Sequence, residues 1–238
     1  MAILVYTESW NGSFKKSSFE AVSYAAQLGK KLNSEVIALT IAAKEDASIL
    51  AKYGAHKILT VTNQTLEQFN NKAYANSIVS AAEAYQVDTI VISNTNNGKS
   101  IAPIVAVKRK ASLITNVLET PSSTNPFTVK RKAFSSKAFA HFTTNSAQKV
   151  ITITPNAIGI VENLTSPDVQ EFEYSTSSSD NRLSSISVEK SSGKIALTEA
   201  EYVVSAGRGL KGAENWTMID AQNVDQLVEL LHTQAKVL

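Results

Sequence analysis

The feature that most restricts the fold of this chain is a regular alternation of short apolar runs with amphipathic helical stretches. The four apolar runs cover residues 3–6, 35–41, 57–61 and 88–93. Their length and composition are typical of strands buried in a parallel sheet. Between the runs, apolar residues recur at helical spacing, as at Ala21, Ala25, Leu28 and Leu32. The alternation predicts an α/β fold, with helices on both faces of a mostly parallel sheet.

A different pattern begins near residue 120. Turn residues separate β-prone runs at 127–134, 138–144 and 150–154, so we expect a small β-rich segment of antiparallel or mixed strands. Two further strands are predicted at 185–189 and 201–205. The polar run STSSS at 175–179 has little to bury and is expected in a linker or surface loop. We therefore predict two domains, residues 1–190 and 191–238.

Composition excludes several kinds of site. The chain has no cysteine, which rules out disulfides, thiolate metal sites and cysteine nucleophiles. His56, His141 and His232 are isolated and lack metal-ligand spacing. The net charge of +2 favours neither nucleic acid nor a membrane surface as a partner. No apolar run approaches the roughly 18 residues of a membrane span, and the N-terminus lacks the basic region of a signal peptide, so we expect a cytoplasmic protein.

Positive charge is concentrated in one stretch. Eight Lys or Arg lie between residues 98 and 137, against the single acid Glu119. A solvated face is the ordinary explanation, and a docking surface for an acidic partner is the alternative. Residues 130–132, KRK, with Phe127 and Phe134 nearby, could neutralise and stack on RNA. No nucleic-acid motif accompanies them, so we expect no nucleic-acid partner.

Two glycine-containing stretches could bind phosphate. The first, NGKS at 97–100, resembles part of a P-loop, but that motif also requires a glycine five positions before Gly98, where Ser93 stands. We expect a plain helix start instead, with Ser100 as the cap and Pro103 in the first turn.

The second stretch is YVVSAGRGLKG at 202–212, a strand-like run followed by a glycine loop. Gly207 and Gly209 allow a sharp turn, and Arg208 offers a charged fork suited to phosphate. Arg208, Gly207 and Gly209 are therefore the predicted cofactor-binding residues. No catalytic or metal-binding residue is predicted.

Five stretches, in this order along the chain, carry a family resemblance. They are LVYTESWNGSFKKSSFEAVSYAAQL, LAKYGAHKILTV, NNGKSIAPIVAVKRKASLITNV, NPFTVKRKAFSSKAFA and YVVSAGRGLKGAENWTMI. Over about residues 2–219 they resemble the α subunit of electron transfer flavoprotein. The resemblance implies an N-terminal domain of adenine nucleotide α-hydrolase-like fold without a bound nucleotide, followed by a flavodoxin-like domain that holds FAD.

The resemblance also implies partners. The family forms a heterodimer with a β subunit, accepts electrons from acyl-CoA or other dehydrogenases, and passes them to a quinone reductase or another acceptor. The arginine of its GRG loop contacts FAD and matches Arg208. The chain is thus expected to be an electron carrier component and not an enzyme with its own substrate.

The chain departs from the family after residue 219. The family's Ser-Arg pair, Gly-Gln-Thr loop and Ser-Gly-Ala-Ile-Gln-His segment are absent, and NVDQLVELLHTQAKVL stands instead. Val224, Leu227, Val228 and Leu231 predict one amphipathic helix. We therefore expect an incomplete flavodoxin-like piece that does not bind FAD stoichiometrically on its own.

Two alternatives stay open at this point. One is a regulatory module that holds AMP or ATP at the carboxyl ends of its parallel strands. The loops after Tyr6 and Ser93 lack a glycine-rich phosphate cradle, which argues against it. The other is a purely structural interaction module.

Overall fold

The computed structural model describes residues 2–177, 180, 197, 200, 203–215 and 223–235. The chain divides into two compact units, Met1–Glu199 and Ala200–Leu238. The predicted boundary at residue 190 falls among residues that are not described. None of the described helices combines the length and apolar character of a membrane span.

The first unit is built on a ten-stranded sheet. The described strands of the unit, of which β2 and β3 lie outside this sheet, are β1 (Ala2–Thr7), β2 (Ser9–Trp10), β3 (Ser13–Phe14), β4 (Glu35–Ile41), β5 (Lys57–Val61), β6 (Thr89–Ser93), β7 (Ser112–Val117), β8 (Ser123–Thr124), β9 (Phe127–Ala133), β10 (Ala138–Thr144), β11 (Lys149–Ile153) and β12 (Asp168–Glu171). The helices of this unit are α1 (Lys16–Leu32), α2 (Asn71–Ala84) and α3 (Asn96–Arg109), with a 3-10 helix over Ala47–Tyr53, while α4 (Val224–Leu230) lies in the second unit.

The strand order is β10-β9-β7-β11-β6-β1-β4-β5-β12, and β2 and β3 form a separate hairpin. From β7 to β12 in this order, each strand is parallel to the next one. Among the described strands of this sheet, the antiparallel pairs are those that β9 makes with β7, β8 and β10. This confirms the predicted mixture of a mostly parallel sheet and a small β-rich segment.

Helices cover both faces of the sheet, as predicted. Because side chains alternate along a strand, Leu4 and Tyr6 of β1 pack in the layer that contains α2 and α3. Ile3 and Val5 pack in the opposite layer, against α1. Both faces of the central strands are thereby buried, which explains their continuous apolar sequences.

The start of α3 corrects the predicted cap. Thr95, and not Ser100, is the N-cap residue, and its Oγ1 accepts a hydrogen bond from the Gly98 N–H at 3.0 Å. Pro103 therefore lies in the helix interior instead of the first turn. A Cβ at Gly98 would come within 1.9 Å of the Ser93 carbonyl oxygen, so glycine allows the helix to begin directly against the end of β6.

The chain between β11 and β12 crosses α1 to reach the sheet edge beside β5. Glu20 of α1 accepts hydrogen bonds from the N–H groups of Asn156, Ile158 and Gly159. Ser23 exchanges two hydrogen bonds with the backbone of Val161. The segment then adds β12 parallel to β5. The sequence did not predict this strand, because all four of its residues are exposed.

The second unit contains α4, which continues as a π-helical turn over Leu231–Ala235. The helix was predicted, and its apolar residues Val224, Leu227 and Val228 are exposed. The predicted strand at 201–205 is wrong for its described part, since residues 203–205 are exposed and belong to no strand. A strand needs a neighbour for its backbone hydrogen bonds, and no described segment pairs with these residues. The predicted strand at 185–189 lies outside the described residues.

Candidate functional site

The GRG loop is an exposed turn of the second unit. Arg208–Leu210 form a single 3-10 turn, and residues 207–209 are all exposed. Gly207 has an ordinary φ of −69°, and a Cβ added at Gly207 or Gly209 would meet no atom within 4 Å. The guanidinium of Arg208 is thus available to an anionic group. The described residues of this loop offer two exposed cations, Arg208 and Lys211, on open backbone.

A second candidate position lies in the first unit, where the strand order reverses. From β1 the chain moves to β4 and β5 on one side, and α2 then returns it to β6 on the other side of β1. Ligands of open α/β sheets bind outside the carboxyl ends of the strands at such a switch point. Here these ends lead into Glu8, after β1, and Thr95, after β6. The AMP or ATP alternative would require phosphate at this position.

Glu8 already fills this position with a carboxylate. Its side chain is only 4% exposed. Oε2 accepts a hydrogen bond from the Thr95 hydroxyl at 2.5 Å, and Oε1 accepts one from Nδ2 of Asn97 at 2.9 Å. Lys15 Nζ lies 3.1 Å from Oε1. The carboxylate is therefore paired with a cation and hydrogen-bonded to the start of α3, as burial of a charge requires.

The backbone of Glu8 is held as firmly as its side chain. Its carbonyl oxygen accepts hydrogen bonds from the Ser18 hydroxyl at 2.7 Å and from the Lys15 N–H at 3.2 Å. Both donors lie at the start of α1. One residue thus connects the N-terminal ends of α1 and α3.

Two buried tyrosines lie beside this network. The rings of Tyr6 and Tyr74 meet edge to face with centroids 6.2 Å apart, and the Tyr74 hydroxyl donates to the Leu66 carbonyl at 2.7 Å. Burial, with the negative charge of Glu8 adding to it, raises the pKa of Tyr74 to about 12. Burial also raises the pKa of Tyr6 well above its ordinary value, with Tyr74 and Glu8 contributing. Both hydroxyls are therefore neutral at physiological pH.

Sequence reasoning missed Glu8 and Lys15, because it considered the loop after Tyr6 only as a possible glycine-rich phosphate cradle. The available signal was an acidic residue directly after the first buried strand. Asn97 belongs to a motif that the sequence did identify, NGKS at 97–100, and Thr95 lies two residues before it. The glycine of this motif allows α3 to begin directly against the end of β6.

The structure also bears on the other candidates. Among the described residues, no group of three His, Asp or Glu side chains could hold a metal ion. In the basic stretch, Phe127 is 3% exposed and packs in the core, so it is not available to stack on RNA. Lys130 Nζ lies 4.8 Å from the ring centre of exposed Phe139, on the β9–β10 hairpin.

Comparison with known proteins identifies the family. A family model described as the electron transfer flavoprotein domain matches residues 3–177. The chain is 26% identical over 228 residues to the electron transfer flavoprotein subunit alpha of Syntrophomonas wolfei, covering 95% of this chain and 70% of that protein. It is 25% identical over 233 residues to the same subunit of Bacillus subtilis, covering 96% and 69%.

A third relative carries a different name. Over 224 residues the chain is 28% identical to subunit LctC of the lactate dehydrogenase (NAD(+),ferredoxin) of Acetobacterium woodii, covering 91% of this chain and 53% of that protein. The family match spans most of the sheet-bearing unit, including the switch point that Glu8 fills. This chain therefore belongs to the electron transfer flavoprotein family, and the relatives that it resembles over most of its length include α subunits of that family.

Proposed function

We propose that this chain acts as an electron transfer flavoprotein α subunit, or as a portion of one, and is a component of an electron carrier without a substrate of its own. The observation that carries the proposal is the family match over residues 3–177, together with the α-subunit names of the relatives. In this role the first unit is a scaffold for a heterodimer with a β subunit. The carrier would work in the cytoplasm and take electrons from acyl-CoA or other dehydrogenases for a quinone reductase or another acceptor.

FAD would supply the redox chemistry when bound. On this chain, Arg208 is the residue proposed to contact it, since its exposed guanidinium suits a phosphate oxygen. Gly207 and Gly209 would leave the adjacent backbone open to the cofactor. Because residues 207–209 are exposed, we propose that the rest of the FAD site comes from other residues or from the β subunit. We therefore propose that the chain alone binds FAD below one equivalent.

The geometry of the switch point favours this function over the nucleotide-binding module. A regulatory AMP or ATP site would need free hydrogen-bond donors at the carboxyl ends of β1 and β6. The donors Thr95, Asn97 and Lys15 are all directed to the Glu8 carboxylate. A scaffold without a nucleotide in this domain is consistent with that arrangement.

Titration of FAD into the heterodimer formed with a β subunit tests the cofactor part of the proposal. Replacing Arg208 with Ala removes a charge-assisted hydrogen bond, so FAD affinity should fall by about 10- to 100-fold. Lys211→Ala, an exposed lysine just after the same turn, is the matched control and should leave affinity nearly unchanged. Equal FAD affinity of the wild type and the Arg208 variant would contradict the assigned role of Arg208.

A further inference from the structure

The donors that converge on Glu8 form a set that binds phosphate in other proteins. They are the hydroxyl of Thr95 at the N-terminal end of α3, the side-chain amide of Asn97 and the ammonium of Lys15. A helix N-terminus with a hydroxyl and a lysine favours a negatively charged group. In this chain the negatively charged group is the side-chain carboxylate of Glu8. We propose that Glu8 is an internal anion that takes the place of a ligand phosphate and closes the switch point to nucleotides.

The carboxylate is fixed in this role by its backbone. Hydrogen bonds from Ser18 and from the Lys15 N–H hold the Glu8 carbonyl against the start of α1. Leaving this position would cost Glu8 these bonds, or would leave the Thr95 hydroxyl and the Asn97 amide without their acceptor. Since unpaired buried polar groups are costly, the closed arrangement is the stable one.

The same geometry determines which anions the switch point can accept. A phosphate that approached Thr95 and Asn97 would place a second negative charge beside the buried Glu8 carboxylate. Like charges in such an environment repel strongly because solvent screens them little. The wild-type chain should therefore bind neither AMP nor inorganic phosphate at this position. Truncating Glu8 should leave the Thr95 hydroxyl, the Asn97 amide and the Lys15 ammonium available to a free anion at the start of α3.

The test uses the full chain and inorganic phosphate as the probe. The thermal midpoint of Glu8→Ala is measured in potassium phosphate and in potassium chloride of equal ionic strength. At a phosphate concentration tenfold above its dissociation constant, the midpoint in phosphate should exceed that in chloride by about 3–6 °C. The wild type should show only the smaller, non-specific stabilisation that phosphate gives to folded proteins in general. The double variant Glu8→Ala/Lys15→Met should lose the phosphate response, because its cation is gone.

Two additions keep the test decisive. If Glu8→Ala does not fold, Glu8→Ser takes its place, because the serine hydroxyl can still accept a hydrogen bond from one of the former donors to Glu8. The same phosphate-specific shift is expected of Glu8→Ser. Isothermal titration of the wild type with AMP should give no heat of saturable binding. The proposal is overturned if the truncated variants respond to phosphate no more than the wild type, if the double variant responds equally, or if the wild type binds AMP.

This inference does not rest on the proposed carrier function. A chain that failed to associate with a β subunit could still show the phosphate response of the Glu8 variants. Conversely, a heterodimer could form although Glu8 had no such role. The two failures are therefore distinguishable.

Discussion

Replacing Glu20 with Ala should destabilise the first unit more than any ordinary surface substitution. Glu20 lies on α1 and is 2% exposed. Its carboxylate accepts N–H hydrogen bonds from Asn156 at 2.8 Å, Ile158 at 2.9 Å and Gly159 at 3.1 Å. These bonds hold the segment that carries the chain from β11 across α1 toward β12.

The size of the effect follows from these three bonds. A hydrogen bond to a charged group contributes about 1.5–3 kcal/mol. Residues 156 and 159 are exposed, so water can replace part of the loss. We therefore expect Glu20→Ala to lower the free energy of unfolding by about 3 kcal/mol. In Glu20→Gln, one oxygen can keep the bonds from Ile158 and Gly159 while an amide NH₂ faces the N–H of Asn156, and the expected loss is about 1–2 kcal/mol.

Urea unfolding followed by circular dichroism measures these differences, and Ser23→Ala is the matched control on the same helix. Ser23 exchanges two neutral hydrogen bonds with Val161, so its loss should be about 1 kcal/mol. Hydrogen exchange at the amides of residues 156, 158 and 159 should accelerate in Glu20→Ala and not in Ser23→Ala. The reasoning is refuted if Glu20→Ala unfolds within about 0.5 kcal/mol of the wild type, or if the order of the two variants is reversed.

Three further predictions concern other parts of the fold. Burial raises the pKa of Asp180, but hydrogen bonds, first among them that from the Ser177 N–H, outweigh burial and leave the pKa below its usual value. The Asp180 carboxylate therefore stabilises the fold above its unfolded pKa of about 3.9, and this stabilisation is lost as pH falls through the lower folded pKa. The urea midpoint of Asp180→Asn should thus depend less on pH below about 4 than the midpoint of the wild type. Gly98→Ala should destabilise the unit by at least about 2 kcal/mol in urea unfolding, because its Cβ would meet the Ser93 carbonyl at 1.9 Å, and an unchanged midpoint would contradict this. Tyr24→Phe should leave the free energy of unfolding unchanged or raise it by about 1 kcal/mol in the same assay, because the buried Tyr24 hydroxyl has no hydrogen-bond partner among the described residues. A clear loss of stability would contradict this.

The parallel part of the sheet was predictable because it is specified locally. β4 and β5 begin and end where their apolar runs do, at residues 35–41 and 57–61. Strands buried on both faces need apolar residues at every position, and that requirement is visible in a single sequence. The strand β12 could not be found in this way. Its sequence DVQE is polar because the strand lies exposed at the sheet edge, where pairing with β5 and not burial defines it.

The role of Glu8 at the switch point could not be predicted, for a different reason. Glu8 acts through Thr95, which is 87 residues away, and Glu20 acts through the backbone of Gly159, which is 139 residues away. A buried carboxylate and an exposed one look alike in sequence, and only the fold supplies the partners that permit burial. The GRG loop shows the opposite case. Its residues were easy to single out, yet their described surroundings are open, and their role in binding FAD stays a proposal.

Association with a β subunit tests the central claim most directly. Analytical ultracentrifugation of the full chain, mixed with an electron transfer flavoprotein β subunit from the same organism, measures the stoichiometry and the dissociation constant without reference to bound flavin. The proposed function predicts a one-to-one complex with a dissociation constant of about 1 μM or tighter. Two species that sediment independently at concentrations far above that value would contradict it.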